Sequence, residues 1–237
     1  SAQKIVVPLI AVAVFLAQLP IDPVDFDGAN GFTKFGAGAF GRAGQSVSRI
    51  GDFNGDGYDD FVVGAPDATA IDAAEGVAYI VFGRPNGIPA ESVLGSGPGA
   101  EMVLLGTTAA GKAGWSVAGA GDFNGDGLAD VVIGAPGSTE DDGEEGLAWV
   151  VFGTYSPVAS LDLGELDYSS AGFVVTGPAS GSQAGFSVAG AGDMNGDGFD
   201  DLLVGAPYSL SGYGGTALAF VLYGRPDPVL GALNLGY

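Results

Sequence analysis

One segment of this sequence occurs three times, and that recurrence limits the fold more than any other feature. Ala43-Gly-Gln-Ser-Val-Ser-Arg-Ile-Gly-Asp-Phe-Asn-Gly-Asp-Gly57 returns as Ala113-Gly-Trp-Ser-Val-Ala-Gly-Ala-Gly-Asp-Phe-Asn-Gly-Asp-Gly127. It returns again as Ala184-Gly-Phe-Ser-Val-Ala-Gly-Ala-Gly-Asp-Met-Asn-Gly-Asp-Gly198, so the offsets are 70 and 71 residues. A unit recurring at such spacing is one supersecondary element that buries its apolar face against the next copy. Each copy contains four strand-like runs. The first is Gly31–Gly36, Met102–Gly106 or Phe173–Gly177. The second is Ser46–Ile50, Ser116–Ala120 or Ser187–Ala191. The third is Asp60–Gly64, Asp130–Gly134 or Asp201–Gly205, each closing on Gly-Ala-Pro, where proline ends a ladder and glycine permits a turn. The fourth is Val77–Phe82, Leu147–Phe152 or Ala217–Tyr223, each closing on glycine.

Four short strands per unit, in tandem, describe an all-β chain of three four-stranded antiparallel propeller blades. The 44 glycines, without a Gly-X-Y period, fit many tight turns and exclude collagen. Hydrophobic residues at 47% against 15% charged allow a sizeable core. Pro/Gly/Ser-rich linkers at Arg84–Ala100 and Thr154–Ala171 divide the repeats into 21–100, 101–171 and 172–237, after an apolar N-terminal segment, 1–20. In that segment Ile5–Ala17 is an uninterrupted apolar run containing Pro8. It is shorter than the roughly 20 residues of a membrane span. It reads either as a signal-peptide core or as a strand buried on both faces.

Acidic residues concentrate in one place per repeat. In Asp52-Phe-Asn-Gly-Asp-Gly-Tyr-Asp-Asp60, Asp52, Asn54 and Asp56 hold alternate positions 1, 3 and 5, and Gly57 at position 6 permits the sharp turn that points them inward. The carbonyl of Tyr58 and the carboxylate of Asp60 complete a five-oxygen set at positions 7 and 9. Asp122, Asn124, Asp126, Leu128 and Asp130 form the second set; Asp193, Asn195, Asp197, Phe199 and Asp201 form the third. Position 8 varies (Asp59, Ala129, Asp200) while position 9 is always Asp, which marks position 9 as the ligand. Hard oxygen donors on a flexible loop suit Ca²⁺, with Mg²⁺ second. Three Ca²⁺ sites are expected, with a structural role. An EF-hand loop carries glutamate at position 12; here Val63, Ile133 and Val204 stand there. Metal-free Asn-Gly or Asp-Gly hairpins need one turn dipeptide, not four oxygen side chains three times over.

These features resemble the FG-GAP repeat family of integrin α-subunit propellers and bacterial surface proteins. The Ser-Val strand, the Asp-x-Asn-x-Asp-Gly-x-x-Asp loop, the Gly-Ala-Pro stop and the ends Val81-Phe-Gly83, Val151-Phe-Gly153 and Leu222-Tyr-Gly224 carry the resemblance. It implies four-stranded blades, Ca²⁺ between strands two and three, an extracellular or cell-surface setting, and adhesion or scaffolding. Integrin-like propellers close with seven blades, and three cannot enclose an axis. The chain is therefore expected not to close alone. It is either a fragment, an open stack, or a homo-oligomer in which the run 5–17 adds as a strand to a neighbour and builds a filament.

The remaining function classes follow from chemistry. With no histidine or cysteine, disulfides, thiol chemistry and the usual zinc sites are excluded, and no enzyme is expected. A net charge of −21 repels nucleic acid and anionic membranes. A self-assembling extracellular structural subunit is the first functional expectation. An integrin-like module binding a protein or glycan ligand is the alternative. The acidic loops Ala68–Glu75 and Ser138–Glu145 read as solvated, and Trp115 and Phe186 as packing between blades rather than as a sugar platform.

Overall fold

A computed structural model of the chain describes residues 31–37, 41–69, 75–85, 88, 91–96, 101–107, 110–137, 145–168, 170–208, 217–226 and 232–236. The segment 1–20, with its apolar run, and most of both long acidic loops lie outside them. The described residues form fifteen β-strands and one 3-10 helix, Leu163–Tyr168, with no α-helix. The chain is all-β, built of blade-like antiparallel sheets that do not close into a ring.

Strands β2 (Ser46–Gly51), β3 (Asp60–Ala65) and β4 (Val77–Val81) make an antiparallel meander. Its fourth strand is β6 (Glu101–Leu105), which pairs antiparallel with β4. The second sheet repeats this with β7 (Ser116–Gly121), β8 (Asp130–Ala135), β9 (Leu147–Val151) and β11 (Gly172–Thr176). The third holds β12 (Ser187–Gly192), β13 (Asp201–Ala206) and β14 (Leu218–Leu222). Sheet and sequence repeat are thus out of step by one strand. The run that opens the second repeat, and likewise the third, does not join its own repeat's strands, but hydrogen-bonds to β4 or β9 of the repeat before. A long linker precedes it, so chain order alone does not reveal its partner.

The linkers also carry strands. After β1 (Thr33–Phe35), β5 (Glu91–Val93) lies parallel to it. In the same way β10 (Ser160–Asp162) lies parallel to β6, and β15 (Ala232–Asn234) to β11. The two complete sheets run β10-β6-β4-β3-β2 and β15-β11-β9-β8-β7; the other two are β1-β5 and β12-β13-β14. Three-residue strands joined by a parallel pairing give little periodic signal, which is why composition reads them as linker.

The core lies between sheets. Phe53, Ile80, Ile133 and Trp149 belong to the cluster between the first and second sheets. Phe123, Val150, Phe173 and Leu202 belong to the next one. Alternate sides of β9 face these two layers, and those of β4 face the first layer and a third cluster with Val63 and Leu94, so both strands are buried along their whole length and read as unbroken apolar runs. The glycine of each Gly-Ala-Pro stop lies inside a strand. Its reason is close approach: the carbonyl oxygens of Gly114 and Gly185 occupy the space a Cβ at Gly64 or Gly134 would take. Each β2-like strand bulges where Gly51, Gly121 or Gly192 takes φ of +88°, +70° or +66°, a region that favours glycine.

Candidate metal centres

The acidic loops are the turns between β2 and β3, β7 and β8, and β12 and β13. Each is held by its own short polar side chains. Asp52 Oδ1 accepts the N–H of Gly55 (2.8 Å) and of Asp56 (3.1 Å), and its Oδ2 accepts that of Gly57 (2.8 Å). Asp193 does the same with Gly196, Asp197 and Gly198 at 2.7, 3.1 and 2.9 Å. The position-3 asparagines Asn54, Asn124 and Asn195 accept the position-5 N–H at 3.0, 2.9 and 2.9 Å. Their amide groups donate to Asp56, Asp126 and Asp197 at 3.1, 2.9 and 2.8 Å. The position-5 carboxylates accept the N–H of Tyr58, Leu128 and Phe199 at 2.9, 2.9 and 3.0 Å. Positions 1, 3 and 5 are therefore gathered over one turn.

Position 9 is arranged differently. Asp60, Asp130 and Asp201 are almost wholly buried. Each accepts the position-2 N–H (Phe53, Phe123, Met194) at 2.9, 2.9 and 2.8 Å. The other oxygen accepts the N–H of Gly83, Gly153 or Gly224, two residues past the end of β4, β9 or β14, at 2.8, 2.8 and 3.0 Å. One carboxylate thus ties the loop, the start of β3, β8 or β13, and the end of β4, β9 or β14 together. Sequence reasoning assigned this residue to metal alone and missed the tether. The recurring glycine 23 residues downstream was its only trace.

The electrostatics ask for a cation. Burial, reinforced by Asp56 and Asp52, pushes the Asp60 carboxyl up to about 6 against its two backbone hydrogen bonds. Burial likewise pushes Asp130 up to about 7, with Asp126 and Asp122 adding to it. Asp193, fully exposed, is lowered instead by the N–H groups of Gly198, Gly196 and Asp197. Among the described residues no three acidic side chains form a ready ligand cluster. In the second loop, however, Asp122 departs from its counterparts. Its Oδ2 accepts the Gly127 N–H (3.0 Å), while Oδ1 is buried without a hydrogen-bond partner. A buried carboxylate oxygen with no donor is costly unless a cation meets it. The all-oxygen donor set and this orphaned atom fit Ca²⁺. The residues placed to hold it are those at positions 1, 3 and 5, with the position-7 carbonyl and the position-9 carboxylate as further contributors.

The loops also touch one another. Ala129 N–H donates to the Asp52 carbonyl (3.0 Å), and Asp200 N–H to that of Asp122 (3.2 Å). The Asp200 carboxylate accepts the Asp122 N–H at 2.9 Å. The Tyr155 ring, with Leu128 of the second loop, covers Gly55 of the first, and Phe199 of the third covers Gly125 of the second. On another part of the molecule Trp115 and Phe186 stack on each other with ring centroids 5.7 Å apart, the inter-blade packing expected of them.

Comparison with known proteins follows the same division of the chain. The FG-GAP repeat model matches residues 43–81, 113–151 and 184–220. Similar proteins include integrin alpha pat-2 of Caenorhabditis briggsae, 30% identical over 66% of this chain and 13% of its own length. Integrin alpha-PS2 of Drosophila melanogaster is 34% identical over 65% of this chain and 11% of its own. Phosphatidylinositol-glycan-specific phospholipase D of Homo sapiens is 29% identical over 79% and 21%. The chain spans a fifth or less of the length of these relatives, to within a percentage point. With its loops, stops and blade-like sheets all recurring in register, the chain belongs to the FG-GAP repeat family, of which it carries three repeats.

Proposed function

We propose that this chain is a Ca²⁺-stabilised extracellular binding module, a propeller segment whose blades present loops to a protein or glycan ligand. The observation that carries the metal is in the second loop, where one oxygen of the Asp122 carboxylate is buried without a donor. The integrin relatives favour the adhesion reading over catalysis. The phospholipase D relatives share the repeats too, so the repeats suit a module serving different proteins. Cations at the three loops neutralise converging carboxylates and hold β2 to β3, β7 to β8 and β12 to β13. Among the described residues no helix is long and apolar enough to cross a membrane. Thermal unfolding in Ca²⁺, in Mg²⁺ and in EDTA tests the reading. Ca²⁺ raises the midpoint more than Mg²⁺, and EDTA abolishes the gain; identical midpoints in all three would remove the metal from the account.

A further inference from the structure

Position 8 of the acidic loops varies (Asp59, Ala129, Asp200), so it is not part of the recurring ligand set. Ala129 and Asp200 instead lie against the loop of the preceding blade, and the backbone junction is the same in both places. Ala129 N–H donates to the Asp52 carbonyl (3.0 Å), and Thr154 N–H to that of Phe53 (2.9 Å). Asp200 N–H donates to the Asp122 carbonyl (3.2 Å), and Arg225 N–H to that of Phe123 (2.9 Å). What differs is the side chain at position 8. Ala129 ends at Cβ and has no acceptor to offer. The partly buried Asp200 carboxylate accepts the Asp122 N–H at 2.9 Å. Gly121 leaves it room, since a Cβ there would collide with that carboxylate.

The two loops underneath differ as well, at the position-1 carboxylate. Asp52 uses Oδ1 on its own turn, accepting the N–H of Gly55 (2.8 Å) and of Asp56 (3.1 Å). Asp122 accepts the Gly127 N–H through Oδ2 (3.0 Å), while its Oδ1 is buried and takes no N–H. Both loops are followed by another, so the comparison is like for like. The loop whose position-1 N–H is held from the next blade is the one whose position-1 oxygen is left for a cation. A cation at the first loop competes with two N–H groups for Asp52 Oδ1. At the second it meets an oxygen that no N–H holds. A ligand group set in place beforehand lowers the cost of binding.

We propose that Asp200 is a positioning residue for the metal centre of the neighbouring loop, and that it makes the second loop a tighter Ca²⁺ site than the first. Its carboxylate fixes the Asp122 main chain at the point where the ligating side chain leaves it, and it adds a negative charge beside the centre. It is not itself a ligand, since its Oδ2 is engaged by the Asp122 N–H. The third blade thus sets the affinity of the second blade's site. By linkage, Ca²⁺ in the second loop strengthens the contact between the two blades in the same measure. The inference rests on the Ca²⁺ reading of the loops proposed above.

Full chains with one loop left intact separate the sites. Asp52→Ala with Asp193→Ala leaves the second loop, and Asp122→Ala with Asp193→Ala leaves the first. Calorimetric titration with Ca²⁺ is expected to give the second loop the lower Kd. Removing a group that orients a metal ligand through a hydrogen bond typically costs about 10- to 100-fold in affinity, so Asp200→Ala is expected to weaken the second loop by about tenfold or more. Asp200→Asn keeps an oxygen acceptor for the Asp122 N–H and loses far less. In the first-loop chain Ala129→Asp supplies the missing acceptor and tightens that site. Urea unfolding of the Asp200 variants in EDTA reports what the contact does for the fold alone. Lower stability in EDTA with an unchanged Ca²⁺ Kd makes the contact purely structural and overturns the proposal. Asp200→Asn as weak as Asp200→Ala, or a first loop that binds as tightly as the second, overturns it too, as does Ala129→Asp without effect. These results leave the metal reading standing. A second-loop chain that takes up no Ca²⁺ removes that reading, and the inference with it.

Discussion

At the residue scale, the position-9 aspartate carries the most weight. Asp130 has 0% exposure and accepts two backbone N–H groups from separate segments. Asp130→Ala leaves both donors buried and unpaired, at roughly 1–3 kcal/mol each. Urea unfolding in EDTA is expected to show that loss even without metal; a variant destabilised only in Ca²⁺ would return the residue to a purely ligating role. Asp60 and Asp130 also set a pH dependence. Their folded values, about 6 and about 7, lie above the unfolded value of 3.8. Between those limits the folded chain holds protons that the unfolded chain has released, so metal-free stability falls as pH rises, until both groups have ionised. With Ca²⁺ bound the carboxylate form is the favoured one, and the Ca²⁺ affinity weakens as pH drops through 7 to 6. Chemical unfolding from pH 4 to 8, with and without Ca²⁺, reads both slopes. Equal slopes would show that these two carboxylates do not meet the metal.

At the element scale, close backbone approach governs the blades. A Cβ at Gly134 meets the carbonyl of Gly185 in the next blade as well as the Ser116 hydroxyl, whereas a Cβ at Gly205 meets only Ser187 of its own blade. Gly134→Ala is therefore expected to lower unfolding free energy by about 1–3 kcal/mol, the range for overpacking. Gly205→Ala costs clearly less, and equal losses in urea unfolding would contradict the stacking. Much of this level was legible in the sequence: the strands of each meander, the acidic turns and the glycine stops all recur at matched offsets. The strand exchange between repeats was not. Glu101–Leu105 has the alternation of any strand, and nothing in its side chains says that Val77–Val81, rather than Ser116–Gly121, is its partner. Nor were β5, β10 and β15 legible. Ser160-Leu-Asp162 has no strand period, and its parallel pairing depends on an edge already in place.

At the scale of the whole molecule, charge and architecture meet. Three Ca²⁺, if bound as proposed, would offset six of the 21 net negative charges. Self-repulsion of the rest is screened by salt. In EDTA, raising the NaCl concentration is thus expected to recover part of the thermal midpoint lost with Ca²⁺, but not the contribution of the buried Asp130 and of the buried Oδ1 of Asp122, which salt screens poorly. A full recovery by salt alone would reduce the metal to a diffuse counter-ion. The expectation that residues 5–17 supply an exchanged strand lies outside the described residues.

The central claim is that each blade loop holds its own Ca²⁺. Native mass spectrometry of the chain in Ca²⁺ counts the ions directly. The account predicts three per chain, falling to two in each of Asp52→Ala, Asp122→Ala and Asp193→Ala, with no Ca²⁺ retained in the triple variant. A chain that carries no Ca²⁺, or keeps all three when Asp122 is replaced, would contradict it.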